Sequence, residues 1–209
     1  MKQASSVVAC VLGLACTAAP AWAGDVAQIG QGGASNNAVI EQIATAGNNF
    51  ATVRQGDPWQ GGSGNNAMLM QHAVDNSMID VYQSGYNSQY HVYQHDGSNL
   101  QANVNVNSAY YGDTMEGNTV MIDQSGYGAR AWVEQGGSMY SRAEIVQRGW
   151  GGENFADVMQ SGSGNQAMIY QEGSNQGSIY QAGSNLNATI VQISNGYGYG
   201  NSATIRQGY

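Results

Sequence analysis

Cysteine is scarce in this sequence and badly placed for cross-linking. Cys10 and Cys16 are the whole supply, both within the first 23 residues, so the chain from Gly24 to Tyr209 can form no disulfide. Phenylalanine is almost missing, with Phe50 and Phe155 alone, which together with thirty Gly and many Asn, Gln and Ser is the wrong makeup for a conventional core. Positive charge is also thin. Beyond Lys2 there are five arginines (Arg54, Arg130, Arg142, Arg148 and Arg206) against fourteen acids, a net −9 that repels nucleic-acid phosphates and anionic lipid. After residue 23 no run of even ten apolar residues occurs, which excludes an apolar membrane-spanning helix from that part.

What is abundant is glycine, thirty residues of it, with many Asn, Gln and Ser. Such a composition reads as disordered unless a repeat orders it. The first 23 residues stand apart. Lys2 precedes an apolar run from Val7 to Cys16 and a small-residue pattern, Ala21-Trp22-Ala23, ahead of Gly24. This predicts a secretory signal peptide over 1–23 and an exported domain over 24–209. Lipidation at Cys16 is the alternative, but Gly13 stands where a bulky aliphatic is expected.

The exported part follows one template: Asn or Ser, any, Ala, any, Ile or Val, any, Gln, any, Gly. NFADVMQSG (154–162), NQAMIYQEG (165–173), NQGSIYQAG (175–183) and NTVMIDQSG (118–126) are clean copies. Its glutamine occurs fourteen times, at Gln31, Gln42, Gln55, Gln71, Gln83, Gln94, Gln124, Gln135, Gln147, Gln160, Gln171, Gln181, Gln192 and Gln207. Two residues earlier lies Ile or Val in thirteen copies and Leu69 in the other; four earlier lies Ala in ten. Six earlier lies Ser in three and Asn in eight: Asn36, Asn49, Asn65, Asn118, Asn154, Asn165, Asn175 and Asn201. The period of two defines a strand with one fixed face and one variable face. Gly two residues after the Gln, in eight copies, marks a turn.

Near-identical inward residues choose among the all-β architectures. In a solenoid each side chain stacks on its equivalent one rung away, so amides ladder and Ala and Ile form columns; a sandwich has no reason to repeat one template. The expectation is a β-solenoid of about seven and a half two-stranded rungs of 22 to 24 residues each. Between Gln94 and Gln124, Ala102, Val104 and Val106 keep the alternation with Val106 in the glutamine position, followed by a loop from Tyr110 to Gly117. Two other long turns, Gly56 to Gly64 with Pro58 and Trp59, and Ile193 to Gly200 with Tyr197 and Tyr199, are expected to bulge outward.

These residues resemble the curli subunits, whose repeats have the form Ser-x5-Gln-x4-Asn-x-Ala-x3-Gln. Ser141-x5-Gln147, Asn49-x-Ala51-x3-Gln55 and Asn165-x-Ala167-x3-Gln171 are similar to its two halves. The resemblance implies a secreted, cell-surface-attached subunit of biofilm-matrix amyloid, reached after periplasmic transit. It implies no cofactor. The partners it implies are further copies of itself, a nucleating minor subunit, an outer-membrane secretion pore with accessory factors, and host surface proteins. The ending GNSATIRQGY resembles the last repeat of the major subunit more than the basic tail of the nucleator. Unlike the major subunit, the chain has no long Gly-rich leader before its first template at 25–31. First and last templates carry the interior pattern, Ala27, Ile29 and Gln31 against Ala203, Ile205 and Gln207, so the terminal rungs are expected to template one another.

Other chemistry weighs less. His91 and His95 have ligand spacing on a helix, but their segment reads as strand, and GGSGNN (61–66) has Asn where a calcium-binding β-roll places Asp. Glu41, Asp123, Glu134, Glu144 and Asp157 occupy outward positions, a solubilising face rather than an enzyme's paired carboxylates. Outward Tyr170, Tyr180, Met68, Met70, Met159 and Met168 are candidates for lateral fibril contacts. The rival reading is a monomeric solenoid binding ice or carbohydrate, which would need regular outward columns of Thr or aromatics.

Export is expected to remove residues 1–23. The intact mass of secreted protein should begin at Gly24; a mass starting upstream overturns the signal-peptide reading.

Overall fold

A computed structural model describes residues 24–45, 47–56, 62–107, 115–149, 152–194 and 200–208. Every regular element in them is a β-strand. In chain order these are β1 (Val26–Gln31), β2 (Asn37–Ile43), β3 (Phe50–Gln55), β4 (Gly62–Ser63), β5 (Asn66–Asp75), β6 (Met78–Gln83), β7 (Gly85–Tyr86), β8 (Gln89–Ser98) and β9 (Gln101–Asn107). They continue with β10 (Thr119–Tyr127), β11 (Arg130–Met139), β12 (Arg142–Gly149), β13 (Phe155–Ser163), β14 (Gln166–Glu172), β15 (Asn175–Ala182), β16 (Asn187–Ile193) and β17 (Asn201–Gln207).

Successive long strands alternate between two sheets. Sheet one has eight strands in the order β1-β3-β6-β9-β11-β13-β15-β17, sheet two has seven in the order β2-β5-β8-β10-β12-β14-β16, and β4 pairs with β7 at a corner. All pairings are parallel, and each template position meets its equivalent on the next strand: Ala27 with Ala51, Ile29 with Val53, Gln31 with Gln55, and likewise to Ala203, Ile205 and Gln207 on β17. This is a β-solenoid of about seven turns, with the half-turn set by the fifteenth long strand.

Alternation sends Ala, Ile and Val inward, where Ala51, Val53, Ala67, Leu69, Ile122, Ile145 and Ile169 are completely buried in one core between the sheets. β-Branched residues suit these columns because a pleated face lets them pack on identical neighbours at little rotamer cost. A smaller apolar cluster of Val74, Leu100 and Ala129 fills the corner where Leu100 and Ala129 stand in place of the template's Asn.

The corners need left-handed backbone. Gly162 adopts φ 93°, and a Cβ there would come within 1.9 Å of the Gly183 carbonyl oxygen. Where glycine is missing from this position, Ala44, Ala73 and Asp96 adopt φ near 50° all the same. The solenoid imposes the turn at a cost of about 1 kcal/mol per such residue.

The chain length per rung is looser than expected. Successive stacked glutamines lie 21 to 30 residues apart, because only the inward columns must match and the corners absorb the surplus. The loop expected from Tyr110 to Gly117 rejoins the stack early: Met115 is buried in the main core and Glu116 bridges to Tyr86. The turn expected over Gly56 to Gly64 likewise ends by Gly62, which stacks on Gly85. Residues 1–23, expected to form a signal peptide, and Pro58, Trp59, Tyr110, Tyr197 and Tyr199 lie outside the described residues.

Tyr90 breaks the template by standing in an Ala position between Ala67 and Val120, fully buried, its hydroxyl near the Ser88 side chain but making no hydrogen bond of good geometry. Burial pushes its phenol far above the ordinary 10.0, and Ser88 offsets this only in part. Tyr90→Phe should therefore stabilise the fold by about 1–2 kcal/mol. Because the unfolded phenol ionises near its ordinary 10.0 and the folded one does not, wild-type stability should fall as pH rises past that value. Denaturation midpoints at neutral pH and near pH 11 check both; a destabilised Tyr90→Phe chain would show that the hydroxyl has a partner.

Candidate assembly faces and amide ladders

Each template glutamine lies toward the C-terminal end of its strand, with the side chain turned into the core. Gln55, Gln71, Gln83, Gln94, Gln124, Gln135, Gln147 and Gln171 are completely buried. A buried primary amide has two donors and an accepting oxygen to satisfy. In sheet two a single ladder runs without a break from Gln42 to Gln192: Nε2 of Gln42 donates to Oε1 of Gln71 (2.8 Å), Gln71 to Gln94 (3.0 Å) and Gln94 to Gln124 (2.9 Å). Gln124 then donates to Gln147 (2.8 Å), Gln147 to Gln171 (2.9 Å) and Gln171 to Gln192 (2.9 Å). In sheet one Gln31 donates to Gln55 and Gln55 to Gln83, both at 2.7 Å, and Gln135 to Gln160 (2.8 Å), then Gln160 to Gln181 and Gln181 to Gln207 (2.9 Å each).

The second Nε2 hydrogen crosses to the other sheet. Gln55 donates to the Asn37 carbonyl (2.9 Å), Gln147 to Arg130 (3.0 Å), Gln160 to Arg142 (3.0 Å) and Gln171 to Phe155 (3.0 Å). The end of a strand in one sheet thus faces the start of a strand in the other. Nothing in the template spacing announces this bond, because its acceptor is backbone.

Sheet one is broken where Val106 lies between Gln83 and Gln135. The break leaves Gln83 Nε2 and Gln135 Oε1 buried without partners.

The asparagines act differently from the glutamines. At a corner the backbone leaves the sheet, and the next rung's amide hydrogen loses its ladder acceptor. The Asn side-chain oxygen takes its place: Asn36 Oδ1 accepts from Asn65 N, Asn65 from Ser88 N, Asn49 from Ser77 N, Asn118 from Ser141 N, Asn154 from Asn175 N, Asn165 from Leu186 N and Asn175 from Asn201 N, at 2.9–3.2 Å. Asn201 donates from Nδ2 to the Ile193 carbonyl (3.2 Å). These are side-chain clips on backbone rather than stacked amides. Asp25, six residues before Gln31, does the same work on β1 by accepting from Asn49 N (3.1 Å) and Asn49 Nδ2 (3.0 Å).

Outward residues form mixed columns. Met68, His91, Met121, Glu144, Met168 and Thr189 succeed one another on sheet two. His95 stacks on Tyr93 with ring centroids 4.6 Å apart and contacts Asp123 (3.1 Å) and Asp96 (3.0 Å). Half-buried Asp157 accepts from the Tyr180 hydroxyl (3.0 Å), and desolvation raises its carboxyl above the usual range. Arg206 lies 5.4 Å from the Tyr180 ring centre. Glu144 pairs with Arg142 (2.9 Å), while Glu41 and Glu134 lie half-buried on the outer faces.

At either end of the solenoid the pattern stops at an open edge. Among the described residues β1 and β2, and likewise β16 and β17, pair on one side only. Ala27, Ile29, Ala203 and Ile205 are accordingly only partly buried, packed against the core on their inner side.

Val106→Gln should close the broken ladder by accepting from Gln83 and donating to Gln135. Satisfying two buried groups should add about 1–3 kcal/mol, read as a higher guanidinium midpoint; an unchanged or lower midpoint would show that Val106 packing outweighs the ladder.

No curated protein and no solved structure matches the chain. Residues 151–176, which include β13, β14 and the first residues of β15 with Asn154, Ala156, Val158, Gln160 and Gln171, match the family described as Curlin associated repeat.

Proposed function

We propose that this chain is a secreted structural subunit that polymerises end to end into extracellular, curli-like amyloid fibrils of a biofilm matrix, where it mediates adhesion. One observation carries the reading. The two open edges present the same Ala, Ile and Gln columns that stack on themselves through the interior, so an added copy gains the contacts an added rung gains. The curlin match over residues 151–176 supports it. Free parallel edges are a liability that soluble solenoids cover with caps, and a fibre subunit uses them. We place it as the bulk subunit, because both edges carry the template, with a nucleating minor subunit, an outer-membrane pore and its accessory factors, and host surface proteins as partners.

The exported protein should pass from monomer to thioflavin-positive fibrils after a lag, with strands perpendicular to the fibre axis at about 4.8 Å spacing. Replacing Ile29 and Ile205 by Lys should put a charge on each end face and lengthen the lag several-fold, while the interior keeps its β circular dichroism. A chain that stays monomeric at high concentration, or whose growth ignores the terminal lysines, would favour a monomeric ligand-binding solenoid. Growth seen only when traces are added to a related subunit would favour the nucleator role.

A further inference from the structure

We propose that successive copies in the fibre are related by a half-turn about its axis, so that the eight-stranded sheet of one copy continues as the seven-stranded sheet of the next. This rests on the fibril-subunit reading above and specifies its docking surface.

The argument begins with the strand count. Strands alternate between the sheets, which hold eight and seven of them, and Gln42 and Gln71 each reach carbonyls at the starts of both facing strands, as a strand set about half a rung between its two neighbours does. At one end, therefore, β17 stands half a rung beyond β16, and among the described residues no strand pairs with β16 on that side, which leaves a step there. A copy added without rotation would set its β1 on β17 and leave a strand-sized gap in sheet two. A half-turn puts β1 into the open step over β16 and β2 over β17. Strand direction is preserved, because the two sheets run opposite ways and a half-turn exchanges them.

Three independent features meet at that docking. Gln192 is 5% exposed, and among the described residues its buried Nε2 has no hydrogen-bond partner. At the other end Gln31 donates to Gln55, and among the described residues no group donates to its Oε1. Setting β1 on β16 in the register of the other parallel pairs brings Gln31 onto Gln192 and Ile29 onto Ile190. Setting β2 on β17 in the same register brings Gln42 onto Gln207 and Ile40 onto Ile205. It also places outward Glu41 beside outward Arg206, opposite charges at neighbouring strand positions. Without rotation Arg206 would lie against Gly30, and Gln192 would stay unpartnered.

Disulfide mapping separates the two arrangements. In a chain with Cys10 and Cys16 changed to Ser, outward Gln28→Cys is combined with either Thr189→Cys or Thr204→Cys. In-register neighbours in a cross-β stack lie about 4.8 Å apart, within disulfide reach. Ser178→Cys with Thr204→Cys, in-register neighbours within one chain, is the control for oxidation. Fibrils of the Gln28→Cys/Thr189→Cys chain should give covalent multimers on non-reducing gels, and those of the Gln28→Cys/Thr204→Cys chain should run as monomer. The reverse result, multimers from both, or multimers from neither with the control oxidised, overturns the half-turn. A parent chain that forms no fibrils overturns the fibril reading instead.

Discussion

Everything in this fold depends on the inward glutamine amide, which bonds in two directions at once. One Nε2 hydrogen goes along the axis to the next glutamine, the other across to a carbonyl of the facing sheet. A side chain that did only the first would hold two sheets that could slide; one that did only the second would leave the rungs unregistered. Each such bond contributes about 1 kcal/mol net, but a broken one strands a buried amide at about 1–3 kcal/mol. Repetition therefore selects one residue type at one position far more strictly than hydrophobic packing selects among Ile, Val and Leu beside it.

That difference explains what could be read from the sequence. Strand positions, the inward face and the degenerate strand with Val106 in the glutamine column follow from spacing, because parallel in-register stacking writes its rule into every repeat. The work of Asn49 or Asn165 does not follow, since their partners are backbone amides on another rung, and any residue supplies a backbone amide. Tyr90 is opaque for a related reason: its column tolerates a large side chain at that rung, and tolerance leaves no pattern. Asp25 was legible by position alone, six residues before Gln31, and its acceptor oxygen replaces that of Asn.

The corners show where the constraint ends. Rungs of 21 and 30 residues carry the same ladder bond at 2.9 Å. Axial length is set by the number of strands and is independent of the residues between them. The stack is accordingly resumed at Met115, in the main core, within the longest of these spacings. The outer columns are similarly free, and the mixture of Met, His, Glu and Thr on sheet two is what a face without an inward rule looks like.

Every glutamine–glutamine bond described above has its donor on the earlier rung and its acceptor on the later one. The amide dipoles are therefore all aligned, and they add along the axis as peptide dipoles add along a helix. Such a rod is electrically directional in its side chains: the β1 extremity offers the Gln31 oxygen and the other the amide of Gln207, while the backbone edge at each tip carries donors and acceptors alike. Its two tips are different chemical surfaces even though the columns of Ala and Ile behind them are alike.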